Sequence, residues 1–421
     1  MILRGFFYYL VVWSLVGYSL LAGINHAIGL DNSVISLGFR AIGGVCAAAL
    51  IAFAARRRFD FNLLMILIFT VAYATQLTLT LHLRQEPSAQ EPIDYWAWAM
   101  GGCIFPALAT YLCLTEDKRD WLFRLVLAVS ALSTVMMLLL GNSMTYLPSG
   151  MGIDTGRWSI PTFNPIAMGH LGVTTILVSF GWFLNQRRMT VKQLAIVGGL
   201  VAAGALLFLL ANSRGPLVSL GACLFMLALS RFNRKRTAAI LIISGAGVAV
   251  LFATQYELIY EGILRRFSIV STGQDRATEL RLIAINGAWD QFLTSPLMGD
   301  GIEERNTGYY PHNVILEALM TTGLVGAIPF VLLLTKATHA SWTIMRQHEE
   351  FIWLALIQVQ YLIAAQLSGA IYQATSLWVS VAAVLAVSSK GFFSTSDQTS
   401  KRKRRPLGTS PARPAFAGHV R

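Results

Sequence analysis

Residues 193–231 read QLAIVGGLVAAGALLFLLANSRGPLVSLGACLFMLALSR. Two apolar runs, 193–211 and 215–231, are parted only by a tight polar junction around Asn212, Ser213 and Arg214. Arg187, Arg188 and Lys192 precede the pair, and Arg231, Arg234, Lys235 and Arg236 follow it. About 20 mostly apolar residues cross the hydrocarbon core of a bilayer as one helix. Lysine and arginine gather in the short loops on the cytoplasmic side. The stretch therefore reads as a transmembrane hairpin with Arg214 at its far turn, opposite the basic side.

Working outward by the same rule gives twelve spans, near 6–28, 34–54, 61–82, 95–114, 121–141, 165–184, 193–211, 215–231, 238–255, 314–335, 351–368 and 371–389. The run from Phe6 is too long for a signal-peptide core and has no clear cleavage site, so it reads as a span that stays. Basic clusters follow the even-numbered spans: Arg56 to Arg58, Lys118 with Arg119 and Arg124, the two clusters just named, and Lys336 with Arg346. The loops after odd-numbered spans are poor in them; 83–94 sets Arg84 among Glu86, Glu91 and Asp94. Both termini are thus expected in the cytoplasm.

Composition agrees. Of 421 residues 55% are hydrophobic and 13% charged, against about 25% charged in a soluble domain. The net charge of +12 lies in short clusters between apolar runs, which orients a membrane protein and is not a nucleic-acid surface. Cys46, Cys103, Cys113 and Cys223 all fall inside apolar runs without metal-site spacing, and read as small buried hydrophobes. The expected organisation is a polytopic membrane domain over 1–390, with a large extracytoplasmic loop at 256–312, and a basic, disordered cytoplasmic tail over 391–421. The tail fixes topology, with anionic lipid as a further contact.

Three loops on the side opposite the basic clusters break the apolar pattern. In 142–164, Arg157 stands among glycines, prolines and aromatics, and either anchors at the headgroups or holds a ligand. Arg214 must face a polar cavity or the interface, because an arginine facing lipid is costly. In 256–312, Leu280, Ile283, Ala284, Ala288, Trp289 and Phe292 recur at helical spacing, so an amphipathic helix is expected along the membrane surface, with Arg276 and Arg281 on its early turns. Gly299-Asp300-Gly301 is a turn, followed by Glu303, Glu304 and Arg305. Asn313 suits the N-cap of span ten, which sets His312 at the positive end of a helix dipole and disfavours its imidazolium. Alone, His312 would be an ordinary interfacial histidine. Beside several arginines, whose guanidinium forks bind phosphate oxygens, a neutral imidazole suits proton removal from a hydroxyl.

Three stretches resemble the O-antigen ligase and polymerase superfamily of bacterial envelopes: LFLLANSRGPLVSL (207–220), ELRLIAINGAWDQFLTSPLMGDGI (279–302) and YYPHNVILEALMTTGLVGAIPFVLLL (309–334), the last with Gly323 and Gly326 after His312-Asn313. The order and spacing fit from about 140 to 390; the first four spans match only in hydropathy. The resemblance implies an all-α, GT-C-like integral membrane glycosyltransferase of the bacterial inner membrane. It would invert the anomeric centre and need no metal or cofactor. The implied donor is an undecaprenyl-pyrophosphate-linked glycan, and the acceptor lipid A–core or a second lipid-linked glycan. Arg214 and Arg281 would hold the donor pyrophosphate, and His312 would activate or orient the acceptor hydroxyl. Arg276, Arg157, Arg305 and Asn313 join them as substrate-binding candidates from charge and location. Glu303 and Glu304 are an alternative base or, more simply, part of a solvated loop. A polymerase of the same superfamily is the closest rival, and a transporter the more distant one, since few ionisable groups, notably Arg40 and His170, lie inside the spans.

Overall fold

Wherever they are described, the apolar runs are helical. A computed structural model describes residues 2–29, 32–54, 59–84, 88–144, 157–186, 188–230 and 276–389. The helices are α1 (Ile2–Ile28), α2 (Asn32–Ala54), α3 (Phe61–Leu83), α4 (Pro92–Cys113), α5 (Arg119–Leu140), α6 (Pro165–Asn185), α7 (Val191–Ala211), α8 (Arg214–Ser230), α9 (Arg276–Thr294), α10 (Val314–Gln347), α11 (Ile352–Ser368) and α12 (Thr375–Ser389). Among the described residues, nine helices are long and apolar enough to cross a membrane, and α8 and α12 are shorter apolar helices. The expected ninth span, residues 256–275 of the loop at 256–312, the tail, and the clusters at Arg56 to Arg58 and Arg231 to Arg236 lie outside the described residues. A short antiparallel pair, β1 (Asn142–Met144) and β2 (Arg157–Ser159), closes the loop before α6.

The helices begin where the chain supplies caps. Asp60, Asn164 and Thr190 accept hydrogen bonds from the first turns of α3, α6 and α7, and Gln193 completes a capping box with Thr190. Asn313 caps α10, accepting from the backbone N–H groups of Ile315 and Leu316 at 3.1 and 2.9 Å.

The centre of the bundle is α6, α11 and α12, buried on nearly every side. Where lipid supplies no hydrophobic force between helices, small residues and polar bridges hold them together. Both occur here. Gly172 of α6 and Gly204 of α7 meet so closely that a Cβ on Gly172 would stand 2.5 Å from the Gly204 carbonyl oxygen. Gln360 of α11 donates to the His170 carbonyl at 2.8 Å, and Thr134 and Thr175 join α5 to α6 at 2.7 Å.

Cross-chain contacts sort the loops into two ends. At one end Arg4 pairs with Asp117 at 2.8 Å, Tyr111 donates to Asp60, and Arg119 lies over Phe351. At the other, Thr162 donates to the Ala22 carbonyl, Arg84 to the Asp300 carbonyl, the Ala89 N–H to Glu303, and Asn313 to the Gln366 carbonyl. Gly169 touches Pro216, which brings the start of α8 to this second end. The loops after odd-numbered helices α1, α3, α5, α7 and the segment 295–313 thus share one end, as the charge pattern anticipates.

Helix α10 departs from the expected 314–335 in two ways. It runs on to Gln347, and it is broken at Gly323, whose φ of 56° and ψ of −161° are not helical. The segment Pro296–Gly299 fills the break: Leu324 N–H donates to the Pro296 carbonyl and Val325 N–H to that of Leu297, while Asp300 N–H donates to the Met320 carbonyl. A Cβ at Gly323 would stand 2.4 Å from the Leu297 carbonyl carbon. Backbone groups freed inside the bundle are thereby satisfied by protein.

Candidate active site

The second end opens into a cavity of about 770 Å³. Its lining draws on α1, α2, α4, α6, α9, α10's leading loop and the α11–α12 turn. Two of these helices carry π-helical turns where they meet it, Trp13–Gly17 in α1 and Ala97–Ile104 in α4, a deformation that recurs at functional sites. Arg40, Arg157, Arg281, His170 and His312 line the cavity, and no aspartate or glutamate among the described residues does. A concave site holding three guanidinium groups and no carboxylate suits an anionic ligand.

His312 is held in an unusual way. Its φ is +59°, the left-handed region, in a residue that is not glycine; such strain costs about 1–3 kcal/mol and persists only where the surroundings enforce it. Next to it stand the Asn313 cap and Tyr310, whose ring packs edge-on at 4.6 Å. The His312 Nδ1 is buried and has no hydrogen-bond partner among the described residues. Burial, helped by the positive charge of Arg281, lowers the imidazole pKa to about 4. The ring is therefore neutral near pH 7. Arg281 also acts on Tyr310, whose hydroxyl burial pushes well above its ordinary range.

The structure places the remaining candidates as follows. Arg157 sits in β2 opposite Met144 and lines the cavity. Arg214 opens α8 and is not itself in the lining; its neighbour Gly215 touches His170, which is, with a Cβ there 3.8 Å from Nε2. Arg276 is the first residue of α9. Arg305 is exposed, donates to Asp300 at 2.8 Å and does not line the cavity. Asn313 lies outside the lining as well, its amide capping α10 and bridging to α11.

Two expectations for this loop change. The solvated-loop reading of Glu303 and Glu304 does not hold, because they are 7% and 0% exposed. Glu304 accepts from the Asn306 and Thr307 N–H groups and the Thr307 hydroxyl, all at 2.8 Å. Glu303 accepts from Ala89 N–H and the Tyr95 hydroxyl, and burial raises its pKa. The apolar stripe of α9 is also split: Ala284, Ala288 and Phe292 face inward, while Leu280, Ile283 and Trp289 are exposed.

One residue went unread in the sequence. Glu317, one turn into α10, is fully buried, and its Oε2 accepts from Ile371 N–H at 2.9 Å. It ties the α11–α12 turn, which carries Tyr372 into the cavity wall, to the helix that begins at His312. An acid inside an apolar run was the available signal. Among the described residues no group of three His, Cys, Asp or Glu side chains is placed to hold a metal ion.

A multi-pass helical chain with an arginine-lined cavity at one end of its bundle is the class so defined. Residues 199–331 match the family model for O-antigen ligase, so the likeness to the O-antigen ligase and polymerase superfamily holds over that stretch. The match takes in α8, Arg281, His312 and the broken half of α10. No curated protein matches the chain.

Proposed function

We propose that the protein is an inverting glycosyltransferase of the ligase type, acting at the periplasmic face of the bacterial inner membrane. It moves a glycan from undecaprenyl pyrophosphate to a sugar hydroxyl of lipid A–core. The observation that carries the reading is the cavity lined by Arg40, Arg157, Arg281, His170 and His312 without a carboxylate among the described residues.

The chemistry follows from those groups. The acceptor hydroxyl oxygen attacks the anomeric carbon, and a C–O bond forms on the face opposite the pyrophosphate. The bond from that carbon to the pyrophosphate oxygen breaks, and undecaprenyl pyrophosphate leaves with the electron pair. His312, neutral and short of a partner at Nδ1, takes the hydroxyl proton. Arg281 and Arg157 offset the charge growing on the leaving group, help worth a few kcal/mol per well-placed donor. Arg214 supports the same end from the start of α8, beside His170.

Purified protein given a synthetic undecaprenyl-pyrophosphate-linked glycan and lipid A–core tests this. Glycan should appear on the core. His312→Ala and Arg281→Ala should each lower kcat/KM by about 100-fold or more. Growth of the glycan on the carrier lipid instead would assign the polymerase reaction, and full activity of both variants would remove the assigned site.

A further inference from the structure

Arg40 is not used by the chemistry above. It lies in α2, eight residues after the helix begins, so about 12 Å along its axis at 1.5 Å per residue. A guanidinium at that depth is costly unless it serves a polar cavity, and Arg40 lines this one. Among the described residues it makes no ion pair or hydrogen bond through its side chain. Its guanidinium carbon lies 4.5 Å from the centroid of the Trp98 ring, and the charge of Asp94, one turn earlier in α4, also acts on it. A guanidinium can pack on an aromatic face while its N–H fork binds an oxyanion.

Aromatic rings surround Arg40 and line the same cavity. Trp98 stacks on Tyr372 at 5.6 Å with planes 12° apart, Tyr372 meets Tyr310 at 6.0 Å, and Tyr310 meets His312 at 4.6 Å. A continuous run of rings thus joins Arg40 to His312 along the cavity. Trp13 and Phe39, which stack at 4.1 Å, line the same cavity. The indole N–H of Trp98 is buried without a hydrogen-bond partner among the described residues. The aromatic lining and this unmet donor stand beside Arg40 in one cavity.

We propose that Arg40 and Trp98 form an acceptor subsite that recognises an oxyanion, phosphate or carboxylate, carried on the acceptor glycan. Arg157 and Arg281 hold the donor pyrophosphate, and the acceptor lies along the ring wall with its hydroxyl at His312 and its anionic substituent at Arg40. This rests on the glycosyl-transfer reading and adds the chemical class of the acceptor.

The experiment compares two acceptors in the purified transfer assay: a phosphorylated core glycolipid, and the same lipid after phosphatase treatment and methyl esterification of its carboxylates. Arg40→Gln should raise KM for the anionic acceptor by about 10- to 100-fold, the worth of hydrogen bonds to a charged group. KM for the neutral acceptor and for the donor should stay unchanged. Arg40→Lys should fall between, keeping charge but losing the fork. A rise in donor KM instead would place Arg40 at the donor pyrophosphate and overturn the proposal. An equal loss with both acceptors, together with a lower Tm, would leave only a clamp between α2 and α4. Absence of product with the wild-type protein would reject glycosyl transfer itself and this inference with it. Normal wild-type transfer with Arg40→Gln indistinguishable from it would reject this inference alone.

Discussion

His312 shows how a single side chain is tuned by its seat. An imidazole in water titrates near pH 6.5, and here burial first, then the Arg281 charge, lowers the value to about 4. Raising the proton's escape in this way keeps the base form populated through the whole physiological range. The sign gives a prediction. As pH falls, an unshifted histidine would lose its base form around pH 6.5, whereas kcat/KM of this protein should stay level down to about pH 5. It should then decline with an apparent pKa near 4, since that profile reports the free enzyme. A pH–rate profile of purified protein with an acceptor that carries no titrating group in this range decides the matter; a limb at 6.5 would mean His312 is not the base. Glu303 is no substitute, since its two carboxylate oxygens are engaged by Tyr95 and Ala89.

Among the elements, α10 carries the most consequence. Asn313 starts it, Glu317 ties it to the α11–α12 turn, and Gly323 breaks it so that Pro296–Gly299 can enter. The entering segment also meets its counterpart requirement: Gly299 has φ +78°, and a Cβ on it would stand 2.1 Å from the Thr321 carbonyl oxygen. Gly323→Ala should therefore destabilise the protein by roughly 1–3 kcal/mol from backbone strain alone, with more from the collision at Leu297. A lower Tm of the detergent-purified variant measures it. Transfer should fall too, because the displaced segment connects α9, with Arg281, to the loop ending at His312. Asn313→Ala should cost about 1 kcal/mol of stability through the lost cap. If its activity loss greatly exceeds what the Tm explains, Asn313 also meets substrate.

For the whole molecule, the separation of its two ends is the governing feature. The described lysines, Lys118, Lys192 and Lys336, all lie toward the Arg4–Asp117 end, Lys336 stacking on Phe61 at 4.5 Å. The cations of the opposite end, Arg84, Arg157, Arg214, Arg281 and Arg305, are arginines. The first end carries arginines as well, Arg4, Arg119, Arg124 and Arg346 among them, so what marks the opposite end is that no described lysine stands there, and the planar fork of arginine suits carboxylate and phosphate geometry. Single cysteines placed at Thr162 and Thr307, in a chain whose native cysteines are replaced, should react with an impermeant maleimide from the periplasmic side. Cysteines at Lys118 and Glu349 should react only from the cytoplasmic side. Labelling of 162 and 307 from opposite sides would contradict the shared end of those loops and dissolve the cavity.

Much of this architecture was readable before folding. The spans at 61–82, 165–184 and 193–211 coincide with α3, α6 and α7 to within a few residues, because the cost of a polar backbone in lipid is set segment by segment along the chain. The Asn313 cap is local for the same reason: an amide and the N–H groups two and three residues on settle it. What each charge does was decided only through space. Arg305 stood beside Arg281 as a lesser candidate from charge and location, yet Asp300 engages it, while Arg281 lines the cavity with His312 and acts on that ring through its charge. Arg40 stood as an isolated charge in an apolar run until α4 was packed against it, and Glu317 went unread until the α11–α12 turn was seen to donate to it. A cavity belongs to no segment, and its charge is the sum over helices distant in sequence, so hydropathy and spacing alone could not assemble it.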